Sequence, residues 1–440
     1  MTVQTHPSGS AATVENPVNA MRRLFHENRA GKARGIYSVC SAHPLVLDAA
    51  FAQAAADKSL LLIEATCNQV NQDGGYTGMT PAGFRDYVYS LATAAGFASE
   101  QLILGGDHLG PNPWRSLPAA VAMEKARIMM HAFALAGFAK IHLDASMRCA
   151  DDPAVLSDDE IAERAASLCE VAEQAATQAS VRPVYIIGTE VPVPGGAQGE
   201  LEIAVTSTAS VEQTLDVHRK AFERRGLASA WERVVGVVVQ PGVEFGDETV
   251  ADYIPQNAAE LSQWILRAEG IVFEAHSTDY QTADSLRQLV RDHFAILKVG
   301  PELTFALREA VFGLARVEEE WIAHTSQSNI RAILDRVMVE NPENWQGYYR
   351  GDAHHLRLAR AYSFSDRIRY YWPHAEVSSA LSLLIENLLH HPAPLPLLAQ
   401  YLPLQAEAIR RGAMPNDPRA LIRHRVRQTL ARYSRACGAL

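Results

Sequence analysis

Residues 102–108 read Leu-Ile-Leu-Gly-Gly-Asp-His, an apolar run of strand type that passes through two glycines into a carboxylate and an imidazole. The arrangement recurs along the chain. Tyr185-Ile186-Ile187 leads through Gly188-Thr189 to Glu190, and Val234–Val239 leads to Gln240-Pro241-Gly242. Ile271-Val272-Phe273 leads through Glu274-Ala275 to His276-Ser277-Thr278-Asp279. In a closed barrel of alternating strands and helices, every strand C-terminus opens on one face. Polar residues far apart in sequence then converge there, so the recurrence says more than any single motif.

Working outward, eight such runs read as strands: Gly35–Ala42, Leu60–Cys67, Gln101–His108, Lys140–Ser146, Val184–Val191, Val234–Gln240, Ile271–Ser277 and Ala295–Gly300. Segments of helical periodicity separate them. Pro44–Ala56 is rich in Ala and Leu. Pro81–Ala95 follows Thr80, an N-cap residue type, with Pro at the first helical position. Ala119–Ala136 ends at Gly137, and Asp158–Ala179 and Ser210–Arg225 show the same period. Strands alternating with helices imply parallel βαβ units. The fold class is therefore α/β, a (βα)8 TIM barrel, with an open doubly wound sheet as the runner-up. Residues 1–16 read as a flexible tail, a short helix carries Met21, Leu24 and Phe25, and the barrel runs over 17–325, its eighth helix at Leu303–Ala323. From 326 to 440 the pattern is helical without strands, at Ile330–Val339, Val377–Leu389 and Leu404–Arg411, and reads as a C-terminal extension. It contains Tyr370-Tyr371-Trp372-Pro373, which reads as core, with a substrate lid or subunit contact as the alternative.

Composition narrows the function classes. The chain has 440 residues, 48% hydrophobic and 20% charged, with a formal net charge of -10. This is a globular composition, and its acidic balance argues against a nucleic-acid partner. Five scattered cysteines, an odd number with no CxxC pair, suit a reducing compartment. Residues 1–16 carry no apolar signal core, and no apolar stretch suggests a membrane span, so a cytoplasmic location is expected.

The strand ends carry the chemistry. His108 and His276, on separate strands, can share one metal ion, with Glu190 offering a carboxylate and Gln240 a carbonyl oxygen to complete or flank the shell. Asp107 remains for proton transfer, with Glu190 as the second candidate. The expected cofactor is a divalent metal, zinc first, with manganese, cobalt or nickel as alternatives. Glu64 ends a strand and leads into the amide-rich loop Asn68-Gln69-Val70-Asn71-Gln72. Amides pair with neutral hydroxyls, so a polyol or sugar is the natural ligand, and a plain turn-rich surface loop is the competing reading. Asn112, Ser146, Ser277 and Asp279 extend the substrate-binding set. Asp144 is a further member, and can instead hold a metal-bound histidine in its tautomer. His142 alternates on the same side of its strand as Asp144. His43 falls at the pocket rim or serves structure. Gly195-Gly196 can form a phosphate nest, although Pro192 and Pro194 remove nearby N–H donors. Lys298 can meet an anionic group, or form a Schiff base in metal-free chemistry, which the histidines make the weaker route. No GxxxxGK[ST] run supports a sugar kinase.

Longer stretches resemble a known family. Gly-Gly-Asp-His-Leu-Gly-Pro-Asn at 105–112, Lys-Ile-His-Leu-Asp-Ala-Ser-Met at 140–147 and Ile-Gly-Thr-Glu-Val-Pro-Val-Pro-Gly-Gly at 187–196 resemble the Z-type (GatZ/KbaZ) subunit of tagatose-bisphosphate aldolase. So do Val-Gln-Pro-Gly-Val-Glu-Phe at 239–245, Glu-Ala-His-Ser-Thr-Asp-Tyr-Gln-Thr at 274–282 and Asp-Arg-Ile-Arg-Tyr-Tyr-Trp-Pro at 366–373. The resemblance implies a barrel related to zinc-dependent class II aldolases. In those enzymes an Asp-His pair supplies the proton-transfer carboxylate and a zinc ligand, and Asp107 and His108 look like that pair. His276 resembles a further ligand, and Gln240 stands where the remaining ligand histidine is expected. The phosphate-holding Lys-Val-Asn-Val-Ala-Thr segment is Lys298-Val299-Gly300-Pro301 here, and Pro301 has no N–H to give.

Two functions fit that pattern. Z-type chains are regarded as non-catalytic partners of an aldolase subunit, and relatives act as ketohexose 4-epimerases on free sugars. The leading expectation is retro-aldol/aldol chemistry inverting C4 of a ketohexose such as fructose or tagatose, or of a ketohexose phosphate. The alternative is a silent subunit that stabilises a class II aldolase catalytic chain. A homo-oligomer is a further expected assembly.

Overall fold

A computed structural model describes residues 16–179, 181–190 and 203–438. The expected tail, except Asn16, and the Gly195-Gly196 nest lie outside these residues. Eight parallel strands close into a barrel: β1 Ile36–Val39, β2 Leu61–Thr66, β3 Leu102–Leu109, β4 Lys140–Leu143, β5 Val184–Ile187, β6 Val234–Val239, β7 Val272–Ala275 and β8 Ile296–Val299. Each pairs with its sequence neighbours, and β1 closes the ring against β8 with Ser38 opposite Lys298. All eight expected runs are strands, most of them a residue or more shorter at one or both ends.

Side-chain alternation sorts each strand into two faces. Outward residues such as Val39, Ile63, Leu104, Ile141 and Phe273 join the helices in one large apolar cluster. Inward residues near the strand starts are also apolar: Ile36, Leu62, Ile103, Val184, Val272 and Ile296 pack together as a separate plug. Further along the same inward faces the residues become Glu64, Asp107, Lys140, His142, Glu274 and Lys298, all buried. The barrel is thus greasy at its base and ionic towards its mouth.

Local signals set the helix boundaries. Asn16 caps the helix Pro17–Arg29, and Thr80 Oγ1 accepts from Gly83 N at 3.2 Å to cap Pro81–Ala94. His43 caps Pro44–Asp57 through Nδ1, which accepts from Leu45 N at 3.3 Å, and burial pushes its pKa down to about 3. His43 thus serves the helix cap and also lines a chamber beside the barrel mouth. Beyond residue 326 the helices Ile330–Glu340, Ala375–His390 and Pro403–Arg410 match expectation, while Ala353–Tyr362, Leu395–Tyr401 and Pro418–Ala436 have no counterpart in the sequence reading. Pro418–Ala436 packs against β1 and against the helices Pro44–Asp57, Ala283–Arg291 and Pro301–Trp321. Leu421 and Ile422 share one apolar cluster with Val46 and Leu47, so the extension is built into the barrel wall. Among the described residues no helix is long and apolar enough to cross a membrane, and all five cysteines are free thiols.

The end of β3 departs from regular pairing, and this departure positions the site. The β3–β4 register shifts between Gly106 and Leu109, and His108 adopts φ 49°. Close approach of backbones makes the shift possible. A Cβ on Gly110 would lie 1.6 Å from the Asp144 carbonyl oxygen, and one on Gly105 would meet the Glu64 carboxylate at 2.6 Å. Gly110→Ala must therefore displace backbone rather than a flexible side chain. It should cost at least ~3 kcal/mol, at or beyond the upper end of overpacking penalties. Urea unfolding monitored by circular dichroism checks this, and a loss under ~1 kcal/mol would contradict the fit, since that is below the overpacking range.

Candidate metal centre

Three histidines and one carboxylate meet at the barrel mouth. Asp107 and His108 come from the bulged end of β3, His142 from β4, and His276 from the residue after β7. Ligand atoms of these four lie within 4.8 Å of one another, and all four side chains are buried. Ring centroids are 5.1 Å apart for His108–His142, 4.8 Å for His108–His276 and 5.3 Å for His142–His276. His108 and Ser277 are both non-glycine residues in left-handed backbone, at φ 49° and φ 53°. Such strain concentrates where a site must aim its side chains.

Carboxylates orient the rings from outside. His108 Nδ1 is 2.7 Å from Asp144 Oδ2, while Asp144 Oδ1 accepts from Ser146 N at 3.1 Å and Ser146 Oγ at 2.6 Å. His276 Nε2 is 2.9 Å from Glu274 Oε1. This is the carboxylate–histidine pairing that fixes the tautomer of a metal ligand. His142 Nδ1 lies 3.3 Å from His108 N and 3.2 Å from Asp107 Oδ1, contacts that demand opposite tautomers. His142 Nε2 is buried without a partner. If Nδ1 carries the proton, Nε2 presents a bare lone pair of the kind a metal takes. The donor set and this orphaned nitrogen fit a divalent ion.

Electrostatics below the cluster are paired throughout. Lys140 Nζ lies 2.6 Å from Glu64 Oε1 and 2.6 Å from Glu274 Oε2, the second an ionic contact without hydrogen-bond direction. Lys298 Nζ contacts Glu64 Oε2 and lies 2.8 Å from Asp107 Oδ1. Burial raises the Asp107 pKa, but the positive His108 and the hydrogen bond to His142 outweigh it and hold the carboxyl below the usual range. Burial also opposes charge on His108, yet Asp107 and Asp144 raise its pKa to about 9. For His276 burial prevails and its pKa is lowered. Glu274 is held at about 2, where Lys140 and His276 overcome burial.

Several sequence assignments are corrected here. Gln240 is not with the histidines: its Oε1 accepts from Gly242 N at 2.8 Å and Val243 N at 3.0 Å, which ties it into the turn after β6. Glu190 is exposed and accepts from Thr206 Oγ1 at 2.9 Å, outside the donor cluster among the described residues. His142 joins the histidines instead. The signal was present in the inward parity that His142 shares with Lys140 on β4. Glu64 is fully buried between two lysines and is not a lining residue of the pocket, although its carboxylate lies within 4.8 Å of the Cys40 and Asp107 donor atoms. Asn112 is engaged with the Cys67 thiol, and Asp144 and Ser146 serve His108.

Asn68, Ser277, Asp279 and Lys298 do line the pocket above the cluster. Of the amide loop, Asn68 and Gln69 face it, while Asn71 holds the loop through Cys67 O, Asp73 N and Gly75 N. Cys40, Tyr76 and Arg369 also line the pocket and were not anticipated as site residues; Tyr370 lines it too, from the stretch for which a substrate lid was the alternative reading. Arg369 and Tyr370 belong to the Asp366–Pro373 stretch: Tyr371 and Trp372 are core, whereas Tyr370 reaches the pocket.

A (βα)8 barrel thus carries, at the C-terminal mouth where such barrels place their sites, a cluster of three histidines and one aspartate whose donor atoms could hold a divalent metal ion. The chain belongs to the D-tagatose-1,6-bisphosphate aldolase subunit GatZ/KbaZ-like family, whose model matches residues 21–438. It is 49% identical to a probable tagatose 6 phosphate kinase from Sinorhizobium meliloti 1021, a solved structure that superposes with a TM-score of 0.85 over 92% of this chain and 100% of that one. More remote similarity extends to the YdjI aldolase from Escherichia coli K12, 14% identical over 82% of this chain and 94% of that one, with a TM-score of 0.40. A fructose-bisphosphate aldolase from Campylobacter jejuni is 15% identical over 84% of this chain and 92% of that one, with a TM-score of 0.44.

Protein purified without chelator should carry about one divalent ion per chain, held by the three histidines with a position left open for a ligand. His142→Ala and His276→Ala should each strip it, while Gln240→Ala and Glu190→Ala should retain it. Elemental analysis decides. Retention in both histidine variants, or loss in Gln240→Ala, would overturn the ligand set.

Proposed function

We propose that this chain is a metal-dependent sugar enzyme that inverts C4 of a ketohexose, fructose or tagatose or their phosphates, by retro-aldol cleavage and re-addition. One observation carries the reading: a carboxylate held ionised, Asp107, lies inside the three-histidine cluster with Lys298 Nζ 2.8 Å away. A subunit that only props up a partner has no need for a buried base beside three metal-ligand side chains.

The chemistry follows from the positions of the groups. In a 2-ketohexose the C4 hydroxyl is β to the C2 carbonyl. Asp107 takes the O4 proton, C3–C4 breaks, and its electron pair flows to the C2 carbonyl. His108, His142 and His276 would hold a divalent ion, which when bound would supply polarisation of that carbonyl and a counter-charge for the released electrons. Lys298 and His142 keep Asp107 oriented during the transfer. Asn68 offers its amide to the hydroxyls of the fragments, while Gln69 braces the wall, its Oε1 accepting from Thr66 N and its Nε2 donating to Cys40 O. The released aldehyde presents its other face, C3 re-adds, and Asp107 returns the proton to O4. Atoms and electrons balance without nicotinamide.

The second reading, a non-catalytic partner of a class II aldolase, is supported by membership of a family of D-tagatose-1,6-bisphosphate aldolase subunits. The two separate in one assay. The isolated metal-loaded chain should interconvert fructose and tagatose, or their 6-phosphates, as followed by chromatography. Asp107→Asn should lower turnover by at least ~10²-fold, the usual contribution of an acid–base group, while metal content and melting temperature stay near wild type. No conversion of any of these sugars with metal demonstrably bound would favour the partner reading. In that case the chain should raise the activity of a class II aldolase mixed with it.

A further inference from the structure

The place where a (βα)8 barrel usually holds phosphate is filled by the chain itself. That place is formed by the loops after the seventh and eighth strands and a helix N-terminus beside them. Here Asp279 Oδ1 accepts from Gly300 N at 2.9 Å and from Glu302 N at 2.8 Å. Pro301, between them, has no N–H to offer. A carboxylate therefore occupies the donors that an external anion would need. It is buried, and burial pushes its pKa up to about 7. A phosphate brought to this end would find the Gly300 and Glu302 N–H groups already taken by Asp279.

A cation is available on the extension side of the pocket. Arg369 stands in the turn Arg367–Tyr370 and lines the pocket together with Asp107, His108 and His276. Its Nη1 donates to the carbonyls of Ser365 and Asp366, and its Nη2 donates to Tyr370 Oη at 3.0 Å. A guanidinium has five N–H donors, so Nε–H and one Nη2 proton remain. Among the described residues no carboxylate pairs with it directly; Asp279 and Asp366 act on it only at longer range. The nearby cations Lys140, Lys298 and Arg367 are committed, the two lysines to carboxylates and Arg367 to Asn344 O and the Tyr348 ring, 3.2 Å from its centroid.

Arg369 also lines a second chamber of about 580 Å³ that shares Cys40, Gln69 and Tyr76 with the first. Arg419 and Arg423 also line it, and Ser378 and Ser382 add hydroxyls. Asp48 is its acidic lining residue, 2.6 Å from Arg423. A chain of net charge -10 thus gathers three arginines around one cavity beside its metal cluster.

We propose that Arg369 is the specificity-determining residue of an anion subsite at this junction, and that the subsite takes the terminal phosphate of a ketose whose carbonyl end lies at the donor cluster. The identity of that carbonyl end rests on the sugar reading above; the subsite is tested without turnover. D-Glucitol 6-phosphate and D-glucitol carry no carbonyl and cannot react. Calorimetric titration of the metal-loaded chain compares them, with inorganic phosphate as a third ligand. The phosphorylated hexitol should bind at least ~10-fold more tightly than the hexitol, roughly what one charge-assisted hydrogen bond supplies. That advantage should fall with added salt and vanish in Arg369→Gln, read as the ratio of the two hexitol affinities measured on the same variant. Arg419→Gln, at an exposed position, should lose part of the advantage while folding normally. Equal affinity for the two hexitols in the wild type overturns the proposal. So does a phosphate advantage that survives in a folded Arg369→Gln variant. Inorganic phosphate binding as tightly as the phosphorylated hexitol would identify a free-phosphate site and overturns it equally.

Discussion

The buried ion network inside the barrel is the constraint on which the rest depends. Glu64, Lys140, Glu274, Lys298 and Asp107 come from five different strands, all of them buried. Charges taken out of water cost several kcal/mol each unless geometry and partners compensate, and removing one partner of a buried pair typically costs about 3–5 kcal/mol. The network therefore tolerates little drift in register between β2, β3, β4, β7 and β8. Its upper members are the site itself: Lys298 grips Asp107, and Glu274 grips His276. Stability and function share the same atoms, so the geometry of the donors is a by-product of keeping the ions paired.

The bulge in β3 converts that order into chemistry. A regular strand would point Asp107 and His108 to opposite faces. The shifted register and the left-handed backbone at His108 bring both to the mouth, and the bare α-carbons of Gly105, Gly106 and Gly110 make room for the displaced chain. The same solution appears after β7, where left-handed Ser277 follows His276. The extension contributes from the other side, carrying Arg369 and Tyr370 to the pocket and using Pro418–Ala436 to seal the wall beside β1.

Much of this was legible in the sequence, for physical reasons. A strand buried on both faces reads as a short apolar run, and eight such runs separated by capped helices leave few architectures. Asp107, His108 and His276 announced themselves because polar groups at apolar strand ends need a reason. His142 was harder to place, since it lies within β4 rather than at its tip, and parity with a buried lysine was its signal. Gln240 and Glu190 were misplaced because sequence gives the position of a strand end but not the hydrogen bonds that claim it afterwards. Arg369 was illegible: its contact with the barrel joins residues far apart in the chain, and the aromatic stretch around it reads as core.

The most direct measurement of the central claim is the fate of hydrogen at C4. A ketohexose carrying deuterium at C4 is incubated with the isolated metal-loaded chain in ordinary water, and the product is examined by NMR and mass spectrometry. If Asp107 moves the O4 proton and the C3–C4 bond breaks and re-forms, the C4 hydrogen never leaves carbon. The account predicts a product inverted at C4 with the label retained. A C4-inverted product that has lost its deuterium to water would contradict it.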